Sequence, residues 1–255
     1  MIEPIYKDPE FLLDKYWGDE LTLVEVAKEA GCSETPIQKY MREYNIPRRS
    51  FGKSRSLKHG NVVILSKDAL EFITGELLGD MSIVCKSNSS ALISYGSKYE
   101  QYLEYLRDEL NKYGIKPSKQ IYTRIQKLNG VDYTSYHYRS LSYPQILELR
   151  RKWYPDGKKI VPKDITLTPL VCRQWYIGDG SLRHPTKSYN IEFATCGFSV
   201  DDTEFLKLKF KVIGFDVTIQ PAGNRISIKK RDVKRFLEYI GPCPIECYEY
   251  KWRVL

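Results

Sequence analysis

No C-x-x-C pair occurs in this sequence, and its six cysteines, Cys32, Cys85, Cys172, Cys196, Cys243 and Cys247, are scattered. Cys243 and Cys247 are spaced so that they could bridge or share a metal, but only three histidines exist and none lies near them. That argues against a zinc site and for reduced, mostly buried thiols. A run of eighteen apolar residues is also missing, so no membrane-spanning helix is expected. The opening "MIEPIYKDPEF" lacks a basic stretch followed by an apolar one, which leaves nothing to mark the chain for export and makes an intracellular location the expectation. Acidic residues are absent from residues 48–67, which carry six basic ones.

What is present fits a polyanion partner. The chain has 255 residues, room for two domains or one large one with an appendage, and at 42% hydrophobic it can bury a full core. Its twenty tyrosines suit a surface that meets a polar partner. The net charge of +8 is unevenly spread: residues 1–47 carry 5 basic and 10 acidic side chains, and the stretch beyond residue 67 carries 29 basic and 22 acidic. A basic body joined through a basic connector points to nucleic acid.

Residues 1–47 read as a helical module. In "LTLVEVAKEAGCSETPIQKYMREYNI", Ala27, Gly31 and Ile37 stand at helix-turn-helix spacing, with Val26, Ala30, Cys32 and Tyr40 in the surrounding apolar positions. Gly31 permits the left-handed turn, Ser33 can cap the second helix, and Pro36 is tolerated in its first turn. Glu34, Thr35, Gln38, Lys39 and Arg42 then face outward, and Gln38, Lys39 and Arg42 are candidate DNA contacts; the alternative is a packing or protein-contact module, since the segment is net acidic. Residues 48–67 form a basic linker whose Arg48, Arg49, Lys53 and Arg55 can track phosphates or ride on a solvated tether.

From residue 68 the chain repeats itself. An apolar helix ends at Asp80, then come two alternating segments, a helix, two more alternating segments and another helix. A second apolar helix ends at Asp179 and the same order follows. Gly114 and Gly214 close corresponding helices at an offset of 100, against 99 for the aspartates. Two copies of one α/β unit, residues 68–165 and 166–255, are expected to pair about a pseudo-twofold axis.

The aspartates need a cause. In "FITGELLGD", Phe72, Gly75, Glu76 and Gly79 share one helical stripe, and small residues four apart let two helix backbones approach closely. "CRQWYIGDG" has only Gly178 as its small residue, with Gln174 where Gly75 maps. The helices should therefore cross tightly at Gly79 and Gly178 and loosen further back, setting Asp80 beside Asp179. Two carboxylates at negative helix ends repel each other unless a cation neutralises them. Oxygen-only ligands suit magnesium or another hard divalent ion such as manganese, and a divalent ion facing a basic surface is apparatus for cutting a phosphodiester. Taken singly, each aspartate would be a helix-ending turn residue.

"ITGELLGDM" and "CRQWYIGDG" resemble the two copies of the motif that names the LAGLIDADG homing endonucleases. The flanking "KKIVPKDITLTPLVCRQWYIGDGSL", "TCGFSVDDTEFL" and "YEYKW" are similar to its single-chain, intron-encoded branch, over roughly residues 68–255. The resemblance implies that Asp80 and Asp179 bind the divalent ions, that the carbonyls of Gly79 and Gly178 also ligate them, and that Lys159 and Lys251 stand near the scissile phosphates. Such a lysine could order the attacking water or stabilise charge on the phosphorane; each could also be a plain surface lysine. Two departures are Met81, in place of the motif's last glycine, and Gln174.

Alternating strands put every second side chain on one face. In "QIYTRIQKL", Gln120, Tyr122, Arg124 and Gln126 form a polar face, with Ile121, Thr123 and Ile125 turned to the helices. In "RISIKK", Arg225, Ser227 and Lys229 oppose Ile226 and Ile228. These residues, with Lys86, Arg139, Arg183, Lys187 and Asn190, are candidate readers of a major groove or members of a solvated face. The expectation is an α+β protein with two αββαββα repeats in a pseudo-twofold saddle. It would act as a monomer that cuts both strands of a long, nearly palindromic double-stranded DNA with Mg2+, leaving the family's short 3′ overhangs. The alternatives are an intron RNA-splicing maturase and a non-cleaving DNA-binding regulator. An intein is not expected, because the chain does not begin with a splicing nucleophile or end in His-Asn.

Overall fold

Short apolar periods separated by capping residues decide the N-terminal helices. In the computed structural model, which describes residues 4–48, 61–85, 87–128, 130–183 and 189–253, α1 (Pro9–Leu13) starts on the Asp8 carboxylate, which accepts from the Glu10 N–H. A wide turn over Asp14–Gly18 follows. Then come α2 (Leu23–Glu29) and α3 (Glu34–Glu43). Thr22 and Glu25 form a reciprocal capping box at the start of α2. Gly31 turns the chain with φ 65°, a conformation that penalises any Cβ. Ser33 occupies the cap position of α3, but its side chain makes no capping hydrogen bond, contrary to expectation. Leu12, Tyr16, Leu23, Val26, Ala27, Ile37, Met41 and Ile46 form a separate core, with Ala30, Cys32 and Tyr40 at its edge.

The chain divides into two compact units: Met1–Asn61 with Lys86–Ser90, and Val62–Cys85 with Ala91–Leu255. The second contains two copies of one arrangement. The first copy runs α4 (Lys67–Leu78), β1 (Ser82–Cys85), β2 (Ala91–Ser97), α5 (Glu100–Lys112), β3 (Tyr122–Leu128), β4 (Val131–Arg139) and α6 (Pro144–Trp153). The second runs α7 (Pro169–Asp179), β5 (Gly180–Arg183), β6 (Asn190–Phe193), α8 (Val200–Val212), β7 (Val217–Gln220), β8 (Arg225–Ile228) and α9 (Lys230–Ile240). Each copy makes a four-stranded antiparallel sheet, ordered β1-β2-β4-β3 and β5-β6-β8-β7. The expected α+β class and αββαββα order are therefore present. In these two copies side-chain caps start three of the described helices: Ser66 on α4, Thr168 on α7 and Ser199 on α8.

Inward-facing residues of both sheets and the helices over them merge into one apolar core. In the second copy Trp175, Phe193, Phe210 and Phe236 pack ring on ring, with Trp175 and Phe193 centroids 4.3 Å apart. No helix among the described residues is long and apolar enough to cross a membrane.

One alternation behaves differently from its sequence pattern. Ile125 was expected to face the helices, yet it is 66% exposed. Residues 122–127 and 130–134 are exposed on both faces of the β3–β4 hairpin; contact with the core comes near its base, where Tyr138 is buried and Ile121 and Tyr136 pack against it. Alternation specifies which side chains share a face; it does not specify that a helix reaches far enough to cover that face.

Candidate active site and nucleic-acid interface

The site is built where α4 and α7 cross. A β-carbon placed on Gly79 would lie 3.4 Å from the Gly178 Cα, and one on Gly178 would lie 3.3 Å from the Gly79 Cα. The contact is reciprocal, as expected of two copies paired about an axis. The helices do not loosen further back. A β-carbon on Gly75 would stand 2.5 Å from the Val171 carbonyl oxygen and 2.7 Å from the Gln174 Cβ. Gly75 has given up its own side chain, and that makes room for the larger Gln174, which is fully buried and donates to the Tyr105 hydroxyl at 3.1 Å.

Asp80 and Asp179 follow these crossing glycines directly, so the crossing brings the two carboxylates together. Burial is the main cause raising both pKa values, even though Asp80 keeps solvent exposure on one side. Asp179 is pushed up to about 7, by burial and then by the Asp80 charge, while Lys159 and Lys251 pull it down. The chain leaves α4 through Met81, whose N–H donates to the Glu76 carbonyl at 3.0 Å and whose side chain is fully buried. At the matching position in the second copy only glycine fits: a β-carbon on Gly180 would strike the Tyr176 ring at 2.0 Å.

The two lysines are not surface side chains. Lys159 donates to the Gly79 carbonyl at 2.9 Å and to the Met81 carbonyl at 3.0 Å. Lys251 is 5% exposed and donates to the carbonyls of Tyr176, Ile177 and Gly178 at 3.2, 2.6 and 3.4 Å. Each ammonium thus meets the negative end of one apolar helix. Burial lowers both lysines to about 8, and the two aspartates oppose that shift in each case. Two acids and two bases from both copies therefore share one charge cluster.

A fourth kind of group stands beside the cluster and was assigned no role from sequence. Glu76 is 1% exposed, accepts a hydrogen bond from the Tyr102 hydroxyl at 2.5 Å, and has no partner for its second oxygen. Burial raises its pKa to about 8 against the pull of that hydrogen bond, with the Asp80 charge adding to the rise. The signal was visible: a carboxylate on the apolar stripe of α4, four residues before Asp80.

No cluster of three or more His, Cys, Asp or Glu side chains exists among the described residues. Any divalent ion at this site would be held by two carboxylates and main-chain carbonyls. That donor set fits: the oxygens are hard, the Asp80 charge raises the Asp179 pKa despite the two lysines, and a carbonyl that accepts from a lysine keeps a second lone pair.

Sequence reasoning placed most candidate readers on the outward faces of the two sheets. On the first, Tyr122, Arg124 and Gln126 of β3 and Arg139 of β4 are exposed, and Gln120 is exposed just before β3. Cross-strand pairing adds His137, Ser135 and Tyr133 to this face. The His137 ring stacks on Tyr122 with centroids 5.4 Å apart and bonds Ser135 at 3.0 Å. Gly96 lies beneath it, where a β-carbon would meet the ring at 3.1 Å. On the second face Arg183, Asn190 and Arg225 are joined by Gln220 around Glu192.

Two candidates on the second sheet are placed differently from their alternation pattern. Ser227 points outward but is 6% exposed, covered by Asn190, whose amide donates to it at 2.7 Å. It anchors a neighbour on that face. Lys229 lies beyond β8 at the start of α9 and pairs with Asp216 at 3.4 Å. In the N-terminal unit Lys39 and Arg42 are exposed on α3, Gln38 is half-buried and donates to Glu34 at 3.0 Å, and Arg48 is exposed. Arg49, Lys53, Arg55, Lys86 and Lys187 lie outside the described residues.

Comparison with known proteins gives the chain relatives. The model of the LAGLIDADG DNA endonuclease family matches residues 70–236, more than half of the chain. An uncharacterized protein, MJ1098, of Methanocaldococcus jannaschii is 29% identical over 248 residues, covering 96% of this chain and 95% of that one. Cytochrome b mRNA maturase bI2 of Debaryomyces hansenii is 28% identical over 149 residues, 56% of this chain and 55% of that one. Among solved structures, the homing endonuclease I-WcaI bound to its DNA recognition sequence superposes with a TM-score of 0.69 at 20% identity, covering 83% of this chain and 97% of that one.

Proposed function

We infer from this chain's place in the LAGLIDADG DNA endonuclease family, to which it belongs by its match over residues 70–236, that it makes a metal-dependent, site-specific double-strand break in DNA. What supports this reading is one arrangement: Asp80 and Asp179, from opposite copies, joined at the α4–α7 crossing with Lys159 and Lys251 behind them. The two carboxylates, with the carbonyls of Gly79 and Gly178, would hold Mg2+ or Mn2+. A divalent ion bound there would polarise a phosphate oxygen and the attacking water. The protein's own groups do the rest. With pKa values near 8, Lys159 and Lys251 are still mostly protonated at neutral pH, so each can order a water and place positive charge where the phosphorane becomes most negative. One aspartate serves each strand.

The target would be double-stranded DNA lying against the outward faces of β1–β4 and β5–β8, long and nearly palindromic because the two sheets are copies. One chain supplies both copies, so it works as a monomer. Lys39 and Arg42 on α3, with the basic segment after it, would extend the footprint; MJ1098 shares the N-terminal segment too.

A second reading has its own support. Similarity to a cytochrome b mRNA maturase favours intron RNA as an alternative partner, held on the same faces without cleavage. Selection of cleaved sequences from a randomised duplex library in Mg2+ tests the first reading. A recovered double-strand cut supports the endonuclease; no cleavage together with tight intron RNA binding replaces it with the maturase.

A further inference from the structure

An acid in the middle of a face meant for DNA is out of place, because phosphates repel it and most base edges in the groove offer acceptors. Glu192 is such an acid. It lies on β6, paired with Ser181 of β5 and Ser227 of β8. Ser82 and Ser181 each stand two residues after their aspartate, so the rows correspond. The first sheet reads Ser82, Ser94, Arg139 where the second reads Ser181, Glu192, Ser227. The second copy has gained a negative charge and lost a positive one on this row.

The carboxylate of Glu192 is fully engaged. Arg183 donates to Oε2 at 2.9 Å; Gln220 and Asn190 donate to Oε1 at 2.9 and 3.2 Å; and Arg225 stands 3.9 Å from Oε2. Asn190 also reaches Ser227. Burial alone would raise the pKa of Glu192, but the Gln220 and Asn190 hydrogen bonds and the Arg183 charge outweigh it and hold the carboxyl below its ordinary value. The depth is layered: the Glu192 side chain is 12% exposed, against 51% for Arg183 and 42% for Arg225. The acid forms a floor, and the guanidinium groups stand on it with their outer N–H groups presented to the partner.

We propose that Glu192 is a positioning residue for base recognition, holding Arg183, Asn190, Gln220 and Arg225 in fixed poses so that the second sheet reads its half of the target strictly. This rests on the reading that the sheet faces DNA. A long side chain that is already tethered loses less freedom on binding, so contacts to the correct base edges are favoured over sliding onto phosphates. The first sheet has Ser94 at the corresponding position, and among the described residues no acid pairs with its Arg124 or Arg139.

The test uses the full chain, wild type and Glu192→Gln, with duplexes randomised in one half-site at a time. A wild-type protein that prefers no duplex defeats the DNA reading itself. Given a wild-type preference, Glu192→Gln should lose discrimination about tenfold in one half-site only. Its binding to unrelated DNA should strengthen with a steeper salt dependence, by about 0.9 in log–log slope for each arginine released to a phosphate. The thermal midpoint is read alongside. Unchanged discrimination in both halves, or an equal loss in both, overturns the proposal. Should Glu192→Gln fail to fold, Glu192→Asp, which keeps the charge but shortens its reach, is read in the same way.

Discussion

Gly75 packs so tightly on Val171 that a β-carbon would come within 2.5 Å of the Val171 carbonyl oxygen. Backbone cannot yield as a flexible side chain does, so Gly75→Ala must push α4 away from α7. The expected loss is about 1–3 kcal/mol of stability, with cleavage falling further than stability because the separation also parts Asp80 from Asp179. Denaturant melts and strand-cleavage rates of the same preparation check this. A variant that keeps wild-type stability and rate would show that the crossing is not under steric control.

Asp179→Asn should abolish cutting of at least one strand and leave duplex binding intact. Nicking and gel-shift assays on one target give both readings. Normal cleavage of both strands would remove Asp179 from the proposed metal site.

The same carboxyl gives the metal-free protein a pH dependence. Its folded pKa, about 7, lies above the ordinary 3.8, so the folded state binds the proton more tightly than the unfolded chain. The stability it contributes is whole below about pH 4 and is lost as pH rises through 7. Lys159 and Lys251 are depressed to about 8 from 10.5; their contribution is present above about 10.5 and is lost as pH falls through 8. In chelator, denaturation of wild type should therefore worsen between about pH 5 and 7 more than that of Asp179→Asn. Mg2+ should narrow the gap by replacing the proton. Parallel curves with and without Mg2+ would count against ion binding.

Lys159→Met and Lys251→Met separate two roles. Both lysines cap helix ends, but Lys251 is the more deeply buried and holds three carbonyls. Lys251→Met should destabilise by about 1–3 kcal/mol through orphaned carbonyls, Lys159→Met by less. If the ammonium groups also act on phosphate, each variant slows cleavage by about ten- to a hundredfold at temperatures where it is fully folded. Full activity in both would leave them as caps alone.

Glu76→Gln keeps an acceptor for Tyr102 and removes a carboxyl whose second oxygen is buried without a partner. Since burial raises the Glu76 pKa to about 8, wild type loses that carboxyl's stabilisation as pH rises through 8, and the variant should become more stable than wild type there, read by denaturation with and without Mg2+. A loss of cleavage with retained Mg2+ binding would instead give Glu76 a part in the chemistry.

The fold was largely legible because its signals are local and repeated. Caps, helix-closing glycines and two apolar runs ending in aspartate recur at nearly one offset. Asp80 and Asp179 could be paired from sequence because helix crossing follows from small residues at a fixed spacing. What could not be read depends on distance through space. Gln174 looked like a reason for loosening, yet Gly75 across the interface had already made room for it. Ile125 alternates correctly but has no helix above it. Ser227 and Glu192 sit on the predicted outward face, and only the cross-strand register shows that one is covered and the other occupied by its neighbours.

The apolar side chains of both copies run together without a break. The two halves should therefore melt as one cooperative event, and a fragment bearing either aspartate alone would leave half of that interior wet. Sheet faces can drift apart in character, as Ser94 and Glu192 have, while the shared interior keeps Asp80 and Asp179 in register.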